Sequence, residues 1–244
     1  MRRSTGKRAE LKQLASQLFN SRTPITSAEF FAGRTPQIMK TVSAIQQQGA
    51  HAIIYGERGV GKTSLANVAS LIFSFDDRKM PTVAPRINCD GTDQFDALWR
   101  KVFAKMQITE EIYPAGLARP KQQKVRSVLE EVGSDSINPG VVERILAKCG
   151  QLCHMIVILD EFDRLPDGEA PRLVADTIKS LSDNANPATI IVVGVGDSVA
   201  GLVRGHESVR RHLIEVPLQR MSKDEMEKVV NDRVPKVDLT IEEG

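Results

Sequence analysis

Between positions 56 and 64 the chain reads Gly56-Glu57-Arg58-Gly59-Val60-Gly61-Lys62-Thr63-Ser64. Three glycines, one ammonium and two hydroxyls at this spacing suit the capture of a phosphate group. Gly56, Gly59 and Gly61 let the backbone turn its N–H groups inward around an anion, with Glu57, Arg58 and Val60 as the intervening members of the loop. Lys62 is placed to reach β- and γ-phosphates as a point charge, the Thr63 hydroxyl to ligate Mg²⁺, and Ser64 to continue the cradle into a helix. A second reactive pair stands at Asp160 and Glu161. Asp160 suits the Mg²⁺ shell, directly or through water, and Glu161 suits the orientation of a water that attacks a γ-phosphate. Asp163 and Arg164 read as helix-starting and surface residues. Together the two groups describe a site for a nucleoside triphosphate with Mg²⁺.

Such groups work only if the chain delivers them to one place. His51 to Tyr55 reads as a short buried strand ahead of the glycine loop, and Ser64 to Phe73 repeats apolar residues at helical spacing behind it, so the new helix adds its N-terminal dipole to the anion site. Met155 to Leu159 is an apolar run that a central parallel strand would bury on both faces, carrying the two acids to its C-terminal end, where open α/β sheets bind ligands. Further strands are expected at Thr82 to Cys89, Thr189 to Val195 and Leu213 to Val216, with Pro85 weakening the first or placing it near an edge. Helices are expected at Glu10 to Leu18, Pro36 to Gln48, Gln94 to Met106, Lys124 to Val132, Val141 to Lys148 and Pro171 to Ser182. The alternation predicts a parallel five-stranded sheet between helices, an α/β fold.

The composition fits a cytoplasmic enzyme domain. The 244 residues are 41% hydrophobic, and a net charge of +2 is too near balance to argue for nucleic acid by itself. The first twelve residues do gather Arg2, Arg3, Lys7, Arg8 and Lys12 against Glu10, which reads as a solvated tail. There is no apolar run of ~18 residues and no signal-peptide core, so neither a membrane span nor secretion is indicated. Three cysteines, Cys89, Cys149 and Cys153, suit a reducing compartment. Cys149, Cys153 and His154 lack a fourth zinc ligand nearby in sequence.

With these motifs in place the chain resembles the AAA+ P-loop ATPases, and within them the branch shared by origin-recognition initiators and STAND signalling ATPases. The resemblance runs from about Phe30 to Arg233. GERGVGKT matches the branch's phosphate loop (Walker A) and ILDEFD its acidic motif (Walker B). Phe31-Ala32-Gly33-Arg34 looks like the N-terminal motif that borders the adenine, which implies nucleotide contacts for Phe31 and Arg34. Arg86-Ile87-Asn88-Cys89 is similar to the branch's second strand. The resemblance also implies a polar γ-phosphate sensor after the apolar strand, for which Asp197 or Ser198 could serve, with a helix cap as the other reading. It further implies an arginine that reaches a neighbouring subunit's nucleotide, for which Arg211 is favoured over Arg210 because guanidinium stays charged and presents a planar fork to phosphate.

The implied organisation is a basic segment and helix over 1–29, an ATPase core over 30–217, and the start of a helical lid over 218–244, where Ser222 and Glu225 form a capping box. The remaining lid helices would be expected beyond Gly244, so the resemblance implies either a fragment of a longer protein or an unusually short lid. The expected activity is ATP hydrolysis by a homo-oligomer acting as a nucleotide-controlled switch. Three downstream roles compete: a signalling switch governing an effector protein or domain, as in antiviral defence; a DNA-loading or transposon target-selecting ATPase, supported by the basic start and by Lys101, Lys105, Lys121, Lys124 and Arg126; and a scaffold that binds nucleotide without turnover.

Overall fold

A computed structural model describes residues 34–75, 80–112, 122–196 and 207–237. The expected helix at Glu10 to Leu18 lies outside them. The strands are β1 (His51–Gly56), β2 (Thr82–Val83), β3 (Arg86–Asn88), β4 (Gln107–Ile112), β5 (Gln122–Ser127), β6 (His154–Asp160), β7 (Thr189–Gly194) and β8 (Leu213–Leu218). The helices are α1 (Thr35–Gln46), α2 (Lys62–Phe75), α3 (Phe95–Lys105), α4 (Val128–Val132), α5 (Pro139–Gly150), α6 (Glu169–Asp183), α7 (Glu207–Arg210) and α8 (Lys223–Arg233).

The main sheet is parallel and runs β2-β6-β7-β1-β8, with β3 also on β6. Because β2 meets β6 at His154 and Met155 while β3 meets it at Ile158 to Asp160, the two segments share one edge position. The sheet therefore has five positions, as expected. Pro85 explains the interruption: it has no N–H to donate, yet its carbonyl accepts from Ile158 N at 2.9 Å.

Side-chain alternation along the central strands divides the core in two. Met155, Val157 and Leu159 of β6 join Ile190 and Val192 of β7 on one face, against α3, α5 and α6. Ile156 and Ile158 join Ile191 and Val193 on the other face, against α1 and α2. Period-two alternation with both phases apolar is what a sheet covered by helices on both sides demands. On the first face Trp99 is fully buried between Phe95 and Phe103, with ring centroids 6.2 and 5.6 Å away. On the second, α1 buries Ile38, Val42 and Ile45 against α2 and the start of the core.

One segment departs from the sequence expectation. Lys124 to Ser127 does not open a helix; it belongs to β5, which pairs antiparallel with β4 from Gln107↔Ser127 to Ile112↔Gln122. Only Val128–Val132 is helical, started by Ser127, whose side chain accepts from Leu129 N. The strand pair is local: Val128 N donates to Met106 O at 3.0 Å, so the chain leaves and re-enters the core at one point.

Candidate nucleotide site

The loop after β1 is shaped by glycine geometry. Gly59 and Gly61 have φ of 85° and 93°, where a side chain would strain the backbone, and neither faces any atom within 4 Å of an ideal Cβ. Gly56 is constrained differently. Its φ is 150° and a Cβ would stand 2.0 Å from the carbonyl oxygen of Leu218, so only glycine lets the end of β1 lie against the end of β8. The loop then enters α2 at Lys62. Lys62 Nζ donates to the carbonyls of Gly56 (3.0 Å) and Glu57 (2.7 Å). Partial burial holds its ammonium below the usual lysine range, while Asp163 and Asp160 pull the other way.

The acidic strand meets this loop directly. Thr63 Oγ1 donates to Asp160 Oδ2 at 2.8 Å, and the other carboxylate oxygen accepts from Glu161 N at 2.9 Å. Asp160 is buried, and its backbone carbonyl accepts from Cys89 N at 2.8 Å, which pins the tip of β6 to the edge strand. Glu161 follows in the left-handed region, φ 54° and ψ 37°, and leads into a 3-10 turn over Phe162–Arg164. Asp163 and Arg164 do not start a helix. Asp163 Oδ1 accepts from Val195 N at 2.7 Å, joining the acidic turn to the end of β7, and Arg164 Nη1 lies 2.9 Å from Glu161 Oε2.

Two cavities flank the loop. One, of about 400 Å³, lies between Arg34, Val60 and Gly61 on one side and Arg220, Met221 and Met226 on the other, with Arg58, Gly59 and Ser64 also on its wall. Arg34 is 3% exposed; its Nη2 donates to Gln219 O at 2.6 Å, and its Nε has no partner among the described residues. The other cavity, of about 660 Å³, is lined by Tyr55, Gly56, Glu57, Gly196 and the segment Pro217 to Arg220. Glu57 turns to that segment, with Oε2 2.7 Å from Arg220 Nε. Beyond it α8 starts with the capping box expected at Ser222 and Glu225.

The family described as Novel STAND NTPase 1 matches residues 24–244. The chain belongs to that family. No curated protein sequence matches it. Among solved structures it is similar to a Walker-type ATPase of Pyrococcus abyssi (16% identity, TM-score 0.59, covering 92% of this chain and 64% of that one). It is also similar to the Orc1 protein of Aeropyrum pernix in complex with DNA (14%, 0.56, 91% and 53%) and to AMPPCP-bound DnaA of Aquifex aeolicus (13%, 0.52, 91% and 58%). The chain thus spans less than two thirds of the length of these structures. At such identities they show the fold, that of P-loop NTPases of the AAA+ type, and the Novel STAND NTPase 1 chain is a nucleotide-binding module of that fold.

The remaining candidates in this family member fall into separate places. Phe31, Asp197 and Ser198 lie outside the described residues, as do Arg2, Arg3, Lys7, Arg8, Lys12 and Lys121. Arg210 and Arg211 are both exposed, 66% and 65%. Arg210 pairs with Glu215, which also accepts from Tyr55 Oη at 3.2 Å. Arg211 Nε donates to His212 Nε2 at 2.9 Å, and its Nη2 lies 3.5 Å from Asp183. Since Leu213 sits opposite His51 and Leu218 opposite Gly56, Arg211 lies at the N-terminal end of the sheet, about 17 Å of strand away from the glycine loop of its own chain.

Two lysines counted for DNA already hold partners within the chain: Lys101 bridges Asp90 and Asp93, and Lys105 donates to Arg86 O. All three cysteines are buried and free, with burial pushing the Cys89 thiol up to about 12 and Cys149 to about 11, which keeps them protonated and unreactive. Among the described residues no group of three or more His, Cys, Asp or Glu could hold a metal, and no helix is long and apolar enough to cross a membrane. Sequence reasoning did not find Arg220 or the Asp163 contact. No local signal marks either, because their partners, Glu57 and Val195, are distant in the chain.

Proposed function

We propose that this module binds ATP with Mg²⁺, hydrolyses it, and works as an oligomeric nucleotide-controlled switch. The observation that carries the reading is the 2.8 Å hydrogen bond between Thr63 and Asp160, which sets one loop hydroxyl and one strand carboxylate on a common point. Hard oxygen donors of this kind suit Mg²⁺. When bound, the ion would neutralise charge on the β- and γ-phosphates, held by Thr63 and Asp160. The N–H groups around Gly59 and Gly61 and the α2 N-terminus would hold the phosphates, and Lys62 would exchange its two loop carbonyls for phosphate oxygens. The smaller cavity supports a place for the base: Val60, Met221 and Met226 offer apolar walls, while the buried Nε of Arg34 offers a donor in want of an acceptor.

Glu161 would orient the attacking water. Replacing it with Gln keeps the shape and removes the carboxylate, so Glu161→Gln should bind ATP as wild type does while turnover falls by at least about a hundredfold. Phosphate release by this variant at the wild-type rate would move the role elsewhere, and a wild type that binds ATP without any turnover would favour the scaffold reading. Arg211 is proposed to act on a neighbouring subunit's nucleotide, supported by its exposure and by its distance from its own loop. DNA contact, as in the Orc1 complex, is the weaker reading, since Lys101 and Lys105 are engaged within the fold.

A further inference from the structure

The turn that follows the acidic strand is tied on several sides, and one tie holds the carboxylate assigned to water. Phe162 and Leu165 are 4% and 7% exposed and fix the turn in the core, while Asp163 holds Val195 N. Glu161 occupies a left-handed conformation that non-glycine residues rarely adopt outside constrained sites. The 3-10 turn over Phe162–Arg164 brings Arg164 back to the residue that precedes it: Arg164 N donates to Glu161 O at 2.9 Å, and Nη1 lies 2.9 Å from Glu161 Oε2. With the backbone pinned, the direction of the Glu161 carboxylate rests on its side-chain torsions and on this cation.

We infer that Arg164 is a positioning residue that holds the Glu161 carboxylate away from the attacking water and so restrains ATP hydrolysis. The inference rests on the nucleotide-site reading above and adds a control element to it. An oxygen committed to a guanidinium is a poorer acceptor for water, and the water competes with a charge-assisted bond. The pair is also half open to solvent, 57% and 40% exposed, so it is weak and exchangeable. A restraint of that kind can be lifted by any acidic group that draws Arg164 away, which suits a switch.

Turnover and ATP affinity of Arg164 variants of the full chain test this. Arg164→Ala should raise kcat about two- to fivefold, the range an exposed ion pair spans, with KM and ATP affinity unchanged. Arg164→Gln, neutral and of similar reach, should show the same rise and serves if the alanine variant folds poorly; Arg164→Lys keeps the cation and should stay near the wild-type rate. Combined with Glu161→Gln, Arg164→Ala should give no gain. An unchanged or lower kcat in folded variants that bind ATP normally overturns the restraint, as does an equal gain in the absence of the Glu161 carboxylate. Those results leave the site reading intact if Glu161→Gln alone is inactive, whereas wild-type turnover by Glu161→Gln sinks the site reading itself.

Discussion

Thr63 and Asp160 are 97 positions apart and share a hydrogen bond, and both were legible as chemistry before any fold was known. Loop and acid each carry a residue pattern with a physical reason, so Lys62, Thr63, Asp160 and Glu161 could be picked out locally. What spacing does not reveal is why each glycine is there. Gly59 needs its positive φ, but Gly56 needs the absence of a Cβ against the Leu218 carbonyl, a neighbour supplied by a strand 162 positions later. The two should therefore respond differently to one methyl group. Gly56→Ala should lose about 3 kcal/mol of stability through a backbone clash that no rotamer relieves. Gly59→Ala should lose about 1 kcal/mol through its dihedral angle alone. Urea unfolding of both variants measures the difference, and equal losses would contradict this division.

Among the elements, the long apolar strands were plain in the sequence because both faces of β6 and β7 are buried. β4 and β5 were hidden, since a polar, two-stranded excursion shows no apolar period, and a start at Lys124 continued smoothly into the true helix at Val128. The first residue of β1 carries a further consequence. His51 is fully buried, and its Nδ1 accepts from Ile190 N at 2.9 Å. Burial, aided by the His212 charge, lowers its pKa from 6.5 to about 3. The folded state thus resists a proton that the unfolded chain accepts. Stability from this residue is complete above 6.5 and declines as pH falls towards 3. By about pH 5 the loss is ~2 kcal/mol. His51→Asn, whose Oδ1 can replace the Nδ1 acceptor without titrating, should lose that much less between about pH 7.5 and 5 in denaturant unfolding. An identical pH dependence in both proteins would show that His51 is not the group responsible.

For the whole molecule, the sheet order puts the glycine loop, the end of the acidic strand and the end of β7 at one rim, and Arg211 at the opposite one. That placement was not legible in the sequence, where Arg210 and Arg211 are simply neighbours. In the fold Arg210 is tied to Glu215 and through it to Tyr55, whereas among the described residues Arg211 meets the largely buried His212 and the exposed Asp183. If Arg211 serves a second copy, Arg211→Ala and Glu161→Gln subunits, each inactive alone, should recover a measurable part of wild-type turnover when mixed, because one interface in the mixture pairs an intact acid with an intact arginine. Mixed assemblies that form without recovery would count against a shared site.

The central claim, that the loop at Gly56 to Ser64 and the strand ending at Asp160 make one ATP site, meets its most direct test in calorimetric titration of ATP with Mg²⁺ into wild type and Lys62→Ala. Among the described residues the Lys62 ammonium donates its hydrogen bonds to two loop carbonyls, so its removal should leave the fold intact. The expected result is saturable binding to wild type and an affinity about ten- to a hundredfold weaker in a variant with unchanged unfolding, in line with the loss of one charge-assisted phosphate contact. Equal affinity in the two proteins, or no binding to wild type, would contradict the account.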